Sequence, residues 1–230
     1  MKSEIPYHLG IIIDGNRRWA KQRGLSSFDG HKKGLDNVLE IGDYCLKKGV
    51  KILTLYCFSA ENWKRTPKEV GYLMRLFLVT LNRENIKKFN ENKVKLRIIG
   101  QREKLPKPLQ RKIKIAEKLT KNNGKGTLNL AISYGGRPEI IEAIKKIIGQ
   151  KISASKITEN LINNNLWTKG LPDPDLIIRT GGERRLSNFL TWQSIYTELY
   201  FIDKFWPEFT KKDIDKALED YANRYRRFGK

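Results

Sequence analysis

Short runs that are apolar on both faces recur along the chain at residues 9–13, 52–58, 94–99, 128–133, 176–179 and 199–202. Between them lie stretches with helical spacing, near residues 34–48, 68–89, 109–121, 139–148, 156–164 and 211–227. Strands that lack an in/out alternation and are separated by helices predict a largely parallel sheet covered on both faces. No repeat, low-complexity tract or Pro/Gly/Ser linker divides the chain. It reads as one α/β domain over residues 1–230, with a central sheet of about six strands flanked by helices.

One helical stretch is unusually apolar. Within residues 68–89, Val70, Leu73, Met74, Phe77 and Leu81 form a core stripe, and Leu76, Leu78 and Val79 widen it around the cylinder. Such a helix belongs either in a deep core or along the wall of a hydrocarbon tunnel. At 1.5 Å per residue it would span roughly 33 Å.

Composition narrows the class. The 230 residues carry 46 Lys plus Arg against 25 Asp plus Glu, a formal charge of +21. A hydrophobic content of 39% with 10% aromatics suffices for a core and excludes a disordered chain. No apolar run approaches the ~20 residues of a membrane helix. The first residues hold no apolar signal segment, so a cytoplasmic protein is expected. Cys45 and Cys57, with His8 and His31, offer neither a disulfide framework nor a zinc set. Much of the positive charge is lysine on helical faces, such as Lys112, Lys114, Lys118 and Lys121 among Ile113, Ile115 and Leu119. The charge therefore points weakly to nucleic acid and more strongly to anionic ligands.

The unusual residues collect at predicted strand ends, where open α/β sheets bind ligands. The first run leads into Asp14-Gly15-Asn16-Arg17-Arg18-Trp19, the second into Ser59-Ala60-Glu61-Asn62-Trp63-Lys64-Arg65. The fourth leads into Tyr134-Gly135-Gly136-Arg137, and the fifth into Arg179-Thr180-Gly181-Gly182-Glu183-Arg184-Arg185-Leu186-Ser187-Asn188. Two arginines can fork onto phosphate oxygens, and a helix opening after Gly15 presents free N–H groups to an anion. A carboxylate beside them is repelled by phosphate unless a cation sits between, which points to Mg²⁺ bridging Asp14 and a diphosphate. Asp14 could instead cap the following helix. Arg179, Arg185 and Ser187 suit a second diphosphate, or Ser187 could be an N-cap with the arginines in water. No Gly-x-x-x-x-Gly-Lys-Ser/Thr or Gly-x-Gly-x-x-Gly motif supports a nucleotide cofactor.

These motifs, with Gly30-His31-Lys32-Lys33-Gly34, Leu96-Arg97-Ile98-Ile99-Gly100 and Glu198-Leu199-Tyr200-Phe201, resemble the cis-prenyltransferases nearly end to end. Within them the chain is most similar to bacterial undecaprenyl diphosphate synthases. The Asp-Asp-x-x-Asp box of trans-prenyltransferases is absent. The resemblance implies a Mg²⁺-dependent homodimer with a parallel sheet and a hydrophobic tunnel. It would extend farnesyl diphosphate with isopentenyl diphosphate to a long cis-polyprenyl diphosphate, the lipid carrier for cell-wall and surface polysaccharides.

By the same resemblance, Asp14 is the catalytic, metal-binding aspartate. Gly15, Asn16, Arg17, Arg18 and Trp19 hold the allylic diphosphate with His31 beside them. Asn62 is the proposed proton acceptor, within a mobile loop containing Ser59, Ala60, Glu61, Trp63 and Arg65. Arg179, Arg185, Leu186 and Ser187 form the isopentenyl diphosphate site, and Glu198 is a second metal carboxylate. Peripheral contact with the inner face of the cytoplasmic membrane is implied for product release, and no nucleic acid.

Two positions depart from the pattern. Arg17 stands where many members have glycine, and Ser27 where an arginine on the allylic phosphate is common. A neighbouring cation such as Arg23 would substitute, or diphosphate affinity would fall. Apolar residues 189–196, with Trp192 and Tyr196, are expected to pack against a twin subunit. The ending Arg226-Arg227-Phe228-Gly229-Lys230 reads either as a basic helix end or as a tail reaching across the dimer. The competing classes are a basic nucleic-acid-binding protein, which needs exposed aromatics on a basic face, and a non-catalytic prenyltransferase subunit, which would lack site residues present here.

Overall fold

His8–Ile12 is buried along its whole length and forms β1, a central strand of the sheet. The structure, a computed structural model, describes residues 4–224. The other strands are β2 (Ile52–Ser59), β3 (Val94–Ile99), β4 (Gly126–Tyr134), β5 (Leu176–Arg179) and β6 (Glu198–Phe201). All pair in parallel, in the order β3-β4-β2-β1-β5-β6. Each expected strand is present. The helices are α1 (Asn16–Gln22), α2 (Ser27–Lys47), α3 (Pro67–Thr80), α4 (Arg83–Glu91), α5 (Lys107–Thr120), α6 (Gly136–Gly149), α7 (Glu159–Asn163) and α8 (Lys211–Asn223).

The alternation of a pleated strand divides the interior. Leu9 and Ile11 enter a large core with Val38, Ile41, Leu73, Phe77 and Trp206. Ile12 enters a second, smaller one with Tyr56, Tyr134, Phe189 and Leu190. The chain leaves β1 toward β2 and later returns to its other side as β5. The crevice beyond the carboxyl ends of β1 and β5 is thus a topological switch point, where such sheets take ligands.

Three expectations are corrected. The helix expected over residues 68–89 breaks after Thr80. Asn82 accepts from Asn85 N–H at 2.8 Å and caps α4, while Asn85 Nδ2 donates to the Thr80 carbonyl at 2.8 Å. A polar cap at a turn outweighs apolar periodicity, so there is no single 33 Å wall. Helix α2 begins at Ser27 rather than Gly34, because Ser26 and Asp29 form a reciprocal capping box ahead of it. The helix expected over 156–164 is shortened to α7, which Thr158 caps by accepting from Leu161 N–H at 3.2 Å.

The apolar patch expected over residues 189–196 is narrower than its composition suggests. Phe189 and Leu190 are buried in their own chain, and half-buried Trp192 donates to Asn163 Oδ1 at 2.6 Å. Ile195 and Tyr196 remain, each 73% exposed. The basic ending lies outside the described residues.

Candidate active site

The turn after β1 is built for close approach. Gly15 has φ +104°, and a Cβ there would sit 2.5 Å from the Phe205 ring. Asp14 N–H donates to Thr180 Oγ1 at 2.9 Å, and that hydroxyl donates to the Asp14 carbonyl at 2.8 Å, tying the ends of β1 and β5 together. Asp14 Oδ1 accepts from Gly15 N–H at 2.6 Å. Asp14 Oδ2 accepts from Arg179 Nη2 at 2.9 Å and lies 3.2 Å from Arg18 Nη2. Buried Arg179 also donates to Ser187 Oγ at 2.7 Å and to the Arg185 carbonyl. Gly181 lets Arg18 in: a Cβ there would meet Arg18 Nη2 at 2.7 Å. Asp14, Arg18, Arg179 and Ser187 are therefore one charged cluster.

A second cluster faces it from α3. Thr66 caps α3, with Pro67 at its first position, which sets Glu69 in the first turn. Buried Glu69 accepts from Arg65 Nη1 at 3.0 Å and from His31 Nε2 at 3.1 Å, with Arg17 Nη1 at 3.8 Å. Burial alone would push the Glu69 carboxyl up. The His31 hydrogen bond and the guanidiniums of Arg65 and Arg17 outweigh it and hold the carboxyl below its ordinary value. Burial lowers the His31 pKa, so at neutral pH its ring is neutral and donates through Nε2.

Both clusters line an open cleft of about 1160 Å³. Below it, sharing Ile13, Asn16, His31, Cys57 and Leu73, lies an apolar cavity of about 60 Å³ walled by Leu76, Phe77 and Leu130. This shares Val38, Leu39, Phe89 and Leu128 with a third space of about 190 Å³ beside α2 and α4. Charge at the mouth and hydrocarbon below suit a ligand with an anionic head and an apolar tail.

Asp14, Gly15, Asn16, Arg17, Arg18, His31, Ser59, Glu61, Asn62, Arg65, Arg179 and Ser187 all line the cleft. Asn62 has a local role as well, since its Oδ1 accepts from Ser59 N–H at 3.0 Å and closes a capping box. Ala60 and Leu186 are not among the lining residues, and Leu186 packs against the smaller core. Trp19 lies beside the Arg23 guanidinium, 4.8 Å from its ring centre, outside the cleft. Trp63 turns away, donating to Ser133 Oγ at 2.8 Å and meeting Phe58 edge-on. Arg185 pairs with Glu183 at 2.6 Å and is exposed. Arg23 is paired with Glu208 and does not line the cleft, whereas Ser27 does.

Glu198 is not brought to Asp14. It pairs in register with Leu176, while Arg179, which holds Asp14, pairs with Phe201. That places Glu198 roughly 10 Å back along the strand, bonded to Arg224 at 2.8 Å. No group of three or more His, Cys, Asp or Glu able to hold a metal occurs among the described residues. One carboxylate completed by substrate oxygens is nevertheless a usual Mg²⁺ arrangement. Asp14 fits it: its oxygens accept from Gly15 and Arg179, with the Arg18 guanidinium 3.2 Å away, and a carboxylate has about four lone-pair sites.

Several functional candidates escaped sequence reasoning. Glu69, on α3, and Lys21, which lines the cleft, lie outside the motifs singled out in the sequence. Asn188 Nδ2 donates to Glu61 Oε1 at 2.8 Å, linking the two loops across the cleft. Tyr56 reaches the Ser187 carbonyl at 3.3 Å. Glu139, fully buried in α6, accepts from Tyr134 Oη at 2.5 Å, Thr168 N–H at 3.0 Å and Gln193 Nε2 at 3.0 Å. The one available signal was position: Asn188 closes the fifth motif, and Tyr56 and Glu139 lie within a few residues of others.

Comparison with known proteins agrees with this geometry. A family model described as putative undecaprenyl diphosphate synthase matches residues 12–229. A geranylgeranyl-diphosphate-specific tritrans,polycis-undecaprenyl-diphosphate synthase of Thermoplasma volcanium is 48% identical, over 98% of this chain and 89% of its own. A (2E,6E)-farnesyl-diphosphate-specific ditrans,polycis-undecaprenyl-diphosphate synthase of Legionella pneumophila is 45% identical, over 100% of this chain and 98% of its own. Among solved structures, lavandulyl diphosphate synthase from Lavandula x intermedia with dimethylallyl diphosphate superposes with TM-score 0.95 at 38% identity, covering 100% of both chains. A probable undecaprenyl diphosphate synthase from Campylobacter jejuni gives 0.83 at 35% identity, again covering 100% of both chains. The match along almost the whole sequence, and in the fold, makes this chain a member of the undecaprenyl diphosphate synthase family of prenyltransferases.

Proposed function

We propose that this chain extends farnesyl diphosphate with successive isopentenyl diphosphates, in the presence of Mg²⁺, to a long cis-polyprenyl diphosphate. The observation that carries the reading is the pair of arginine–carboxylate clusters at the β1/β5 switch point, opening onto an apolar cavity. Asp14, Gly15, Asn16, Arg17, Arg18 and His31 would hold the allylic diphosphate, with Arg179 and Ser187 toward the second diphosphate.

Asp14 would hold Mg²⁺, which when bound offsets diphosphate charge. Ionisation of the allylic C–O bond sends its electron pair to the diphosphate, and the arginines that Asp14 and Glu69 hold at the cleft would stabilise that charge. The allylic cation is captured by the isopentenyl double bond, and a proton then leaves. An amide is a feeble base and Asn62 Oδ1 already accepts from Ser59 N–H, so Asn62 would orient the phosphate oxygen or water that takes the proton.

A homodimer through exposed Ile195 and Tyr196 is part of the proposal, and Glu198 would serve a metal only in that assembly. No helix among the described residues is long and apolar enough to cross a membrane. A cytoplasmic enzyme touching the membrane from its inner face is the location proposed. The test is extension of farnesyl diphosphate and, separately, geranylgeranyl diphosphate with labelled isopentenyl diphosphate, with and without Mg²⁺. Absence of any long product from either starter overturns the reading. Salt-dependent nucleic-acid binding that farnesyl diphosphate cannot displace would favour the rival class.

A further inference from the structure

Helix α5 has two unlike faces. Leu109, Ile113, Ala116 and Thr120 are buried. Outward lie Lys107, Arg111, Lys114 and Lys118, together with Ile115 and Leu119, which are 54% and 56% exposed. Lys112 Nζ donates to the Leu78 carbonyl at 2.9 Å, so the stripe Lys112–Ile115–Leu119 runs along the end of α3. Val79, next to Leu78 in α3, is 59% exposed, so three exposed apolar side chains accompany the row of cations on α5.

The row is unopposed. The one carboxylate of α5, Glu117, turns inward to Arg102 and the Ile98 N–H. Among the described residues Lys107, Arg111, Lys114 and Lys118 have no ion-pair partner. Neighbouring α4 behaves differently and neutralises itself through Lys88–Glu84 at 2.8 Å and Lys87–Glu91 at 3.6 Å. Exposed apolar side chains among unpaired lysines are the pattern of a helix lying in a lipid headgroup layer, with ammonium groups at the phosphates and aliphatic residues below. The opposite side of α3, through Leu73, Leu76 and Phe77, walls the apolar cavity under the cleft.

We propose that the face formed by α5 and the end of α3 docks on an anionic lipid bilayer, placing the wall of the apolar cavity against the membrane. The inference deepens the proposed membrane contact, which in turn rests on the proposed lipid product. It is tested without substrates, so its failure and the failure of that reading are separate results.

The full chain is sedimented with vesicles of phosphatidylglycerol mixed with phosphatidylcholine, and with vesicles of phosphatidylcholine alone. Binding to the mixed vesicles only is expected. The double variants Ile115→Glu/Leu119→Glu and Lys114→Glu/Lys118→Glu should each weaken it by about tenfold or more. Thermal melting confirms that they fold, and condensation assayed in detergent should be unchanged. Equal binding to both vesicle types, no binding to either, or wild-type binding by both variants overturns the proposal. So does a changed sedimentation mass in the variants, which would make the face an interface between copies. Displacement of the vesicles by polyuridylate through the same residues would assign the face to nucleic acid and overturn it as well.

Discussion

Glu139→Ala tests whether the second diphosphate site is held from beneath. The native carboxylate is wholly buried and accepts from Tyr134 Oη, Thr168 N–H and Gln193 Nε2. Gln193 keeps a second partner, Thr168 Oγ1 at 2.7 Å, so truncation orphans the Tyr134 hydroxyl and the Thr168 N–H. At ~1–3 kcal/mol for each buried group left unpaired, the loss is about 2–6 kcal/mol. Part is returned, because burial disfavours the charged carboxylate and raises its pKa. We expect about 2–4 kcal/mol by urea unfolding at pH 7.

The damage should reach the cleft. Tyr134 packs edge-on against Phe189, and Tyr56 Oη bridges the Tyr134 and Ser187 carbonyls. The loop above them contains Ser187, Asn188 and Leu190 at φ 48°, 67° and 44°, a left-handed geometry costing ~1–3 kcal/mol for each non-glycine residue. It persists because Gly136 N–H donates to the Asn188 carbonyl at 2.7 Å and Arg137 N–H to its Oδ1 at 2.8 Å, both from the start of α6. Loosening α6 should therefore raise KM for isopentenyl diphosphate more than it lowers kcat. Glu139→Gln, which keeps the shape but turns one acceptor into a donor, should lie between. A stability loss below ~0.5 kcal/mol with unchanged KM would refute the reasoning.

Asp14→Ala should cut turnover by orders of magnitude in a protein that still folds, with a lowered melting point because buried Arg179 loses its carboxylate; full turnover would show the carboxylate to be only a cap. Arg17→Ala should raise KM for the allylic substrate about tenfold or more, and Arg23→Ala should not, because Arg23 is committed to Glu208; the reverse ranking in steady-state kinetics would restore Arg23 as the substitute for the arginine missing at Ser27. His8, buried between the Pro172 carbonyl and Thr54 Oγ1, is lowered to about 4, chiefly by desolvation. Its depressed pKa means that the unfolded chain takes up the proton first, so its stabilising share is complete above pH 6.5 and lost as the pH falls toward 4. About 2 kcal/mol should be gone by pH 5. Urea midpoints for wild type and His8→Gln that fall in parallel between pH 7 and 5 would contradict this.

The sheet was legible because strands buried on both faces have no polar phase to hide them, and every apolar run found its place. The helix break at Asn82 was not, since apolar residues continue through Leu81, Ile86 and Phe89 while two asparagine side chains end one helix and start another. Within the site, the residues at strand tips were readable because Asp, Gly and Arg after a buried strand have no packing purpose there. Glu69 and Glu139 were not, because a carboxylate on an amphipathic helix looks solvated until its partners arrive from remote segments. For Glu69 these are His31 and Arg17, and for Glu139 they are Thr168 and Gln193. Trp19, Trp63 and Arg185, named from the motifs, are not among the residues lining the cleft. Trp63 bonds Ser133 and meets Phe58, and Arg185 pairs with Glu183 at the surface.

The pairing of every central arginine with a carboxylate has a consequence for how the cleft meets an anion. Arg18 and Arg179 are tied to Asp14, and Arg17 and Arg65 to Glu69. An entering diphosphate therefore finds guanidiniums already oriented, at the cost of repulsion from the carboxylates that orient them. Glu69 can bear this, since it is buried behind its partners and held ionised by them. Asp14 cannot withdraw in the same way, because it stands at the strand tip in the cleft itself. Either a cation must come in with the ligand, or Arg18 and Arg179 must swing from Asp14 to the phosphate. The two routes differ in the laboratory: diphosphate affinity that rises steeply with Mg²⁺ in wild type and becomes Mg²⁺-independent in Asp14→Asn supports the cation, whereas equal Mg²⁺ dependence in both rejects it.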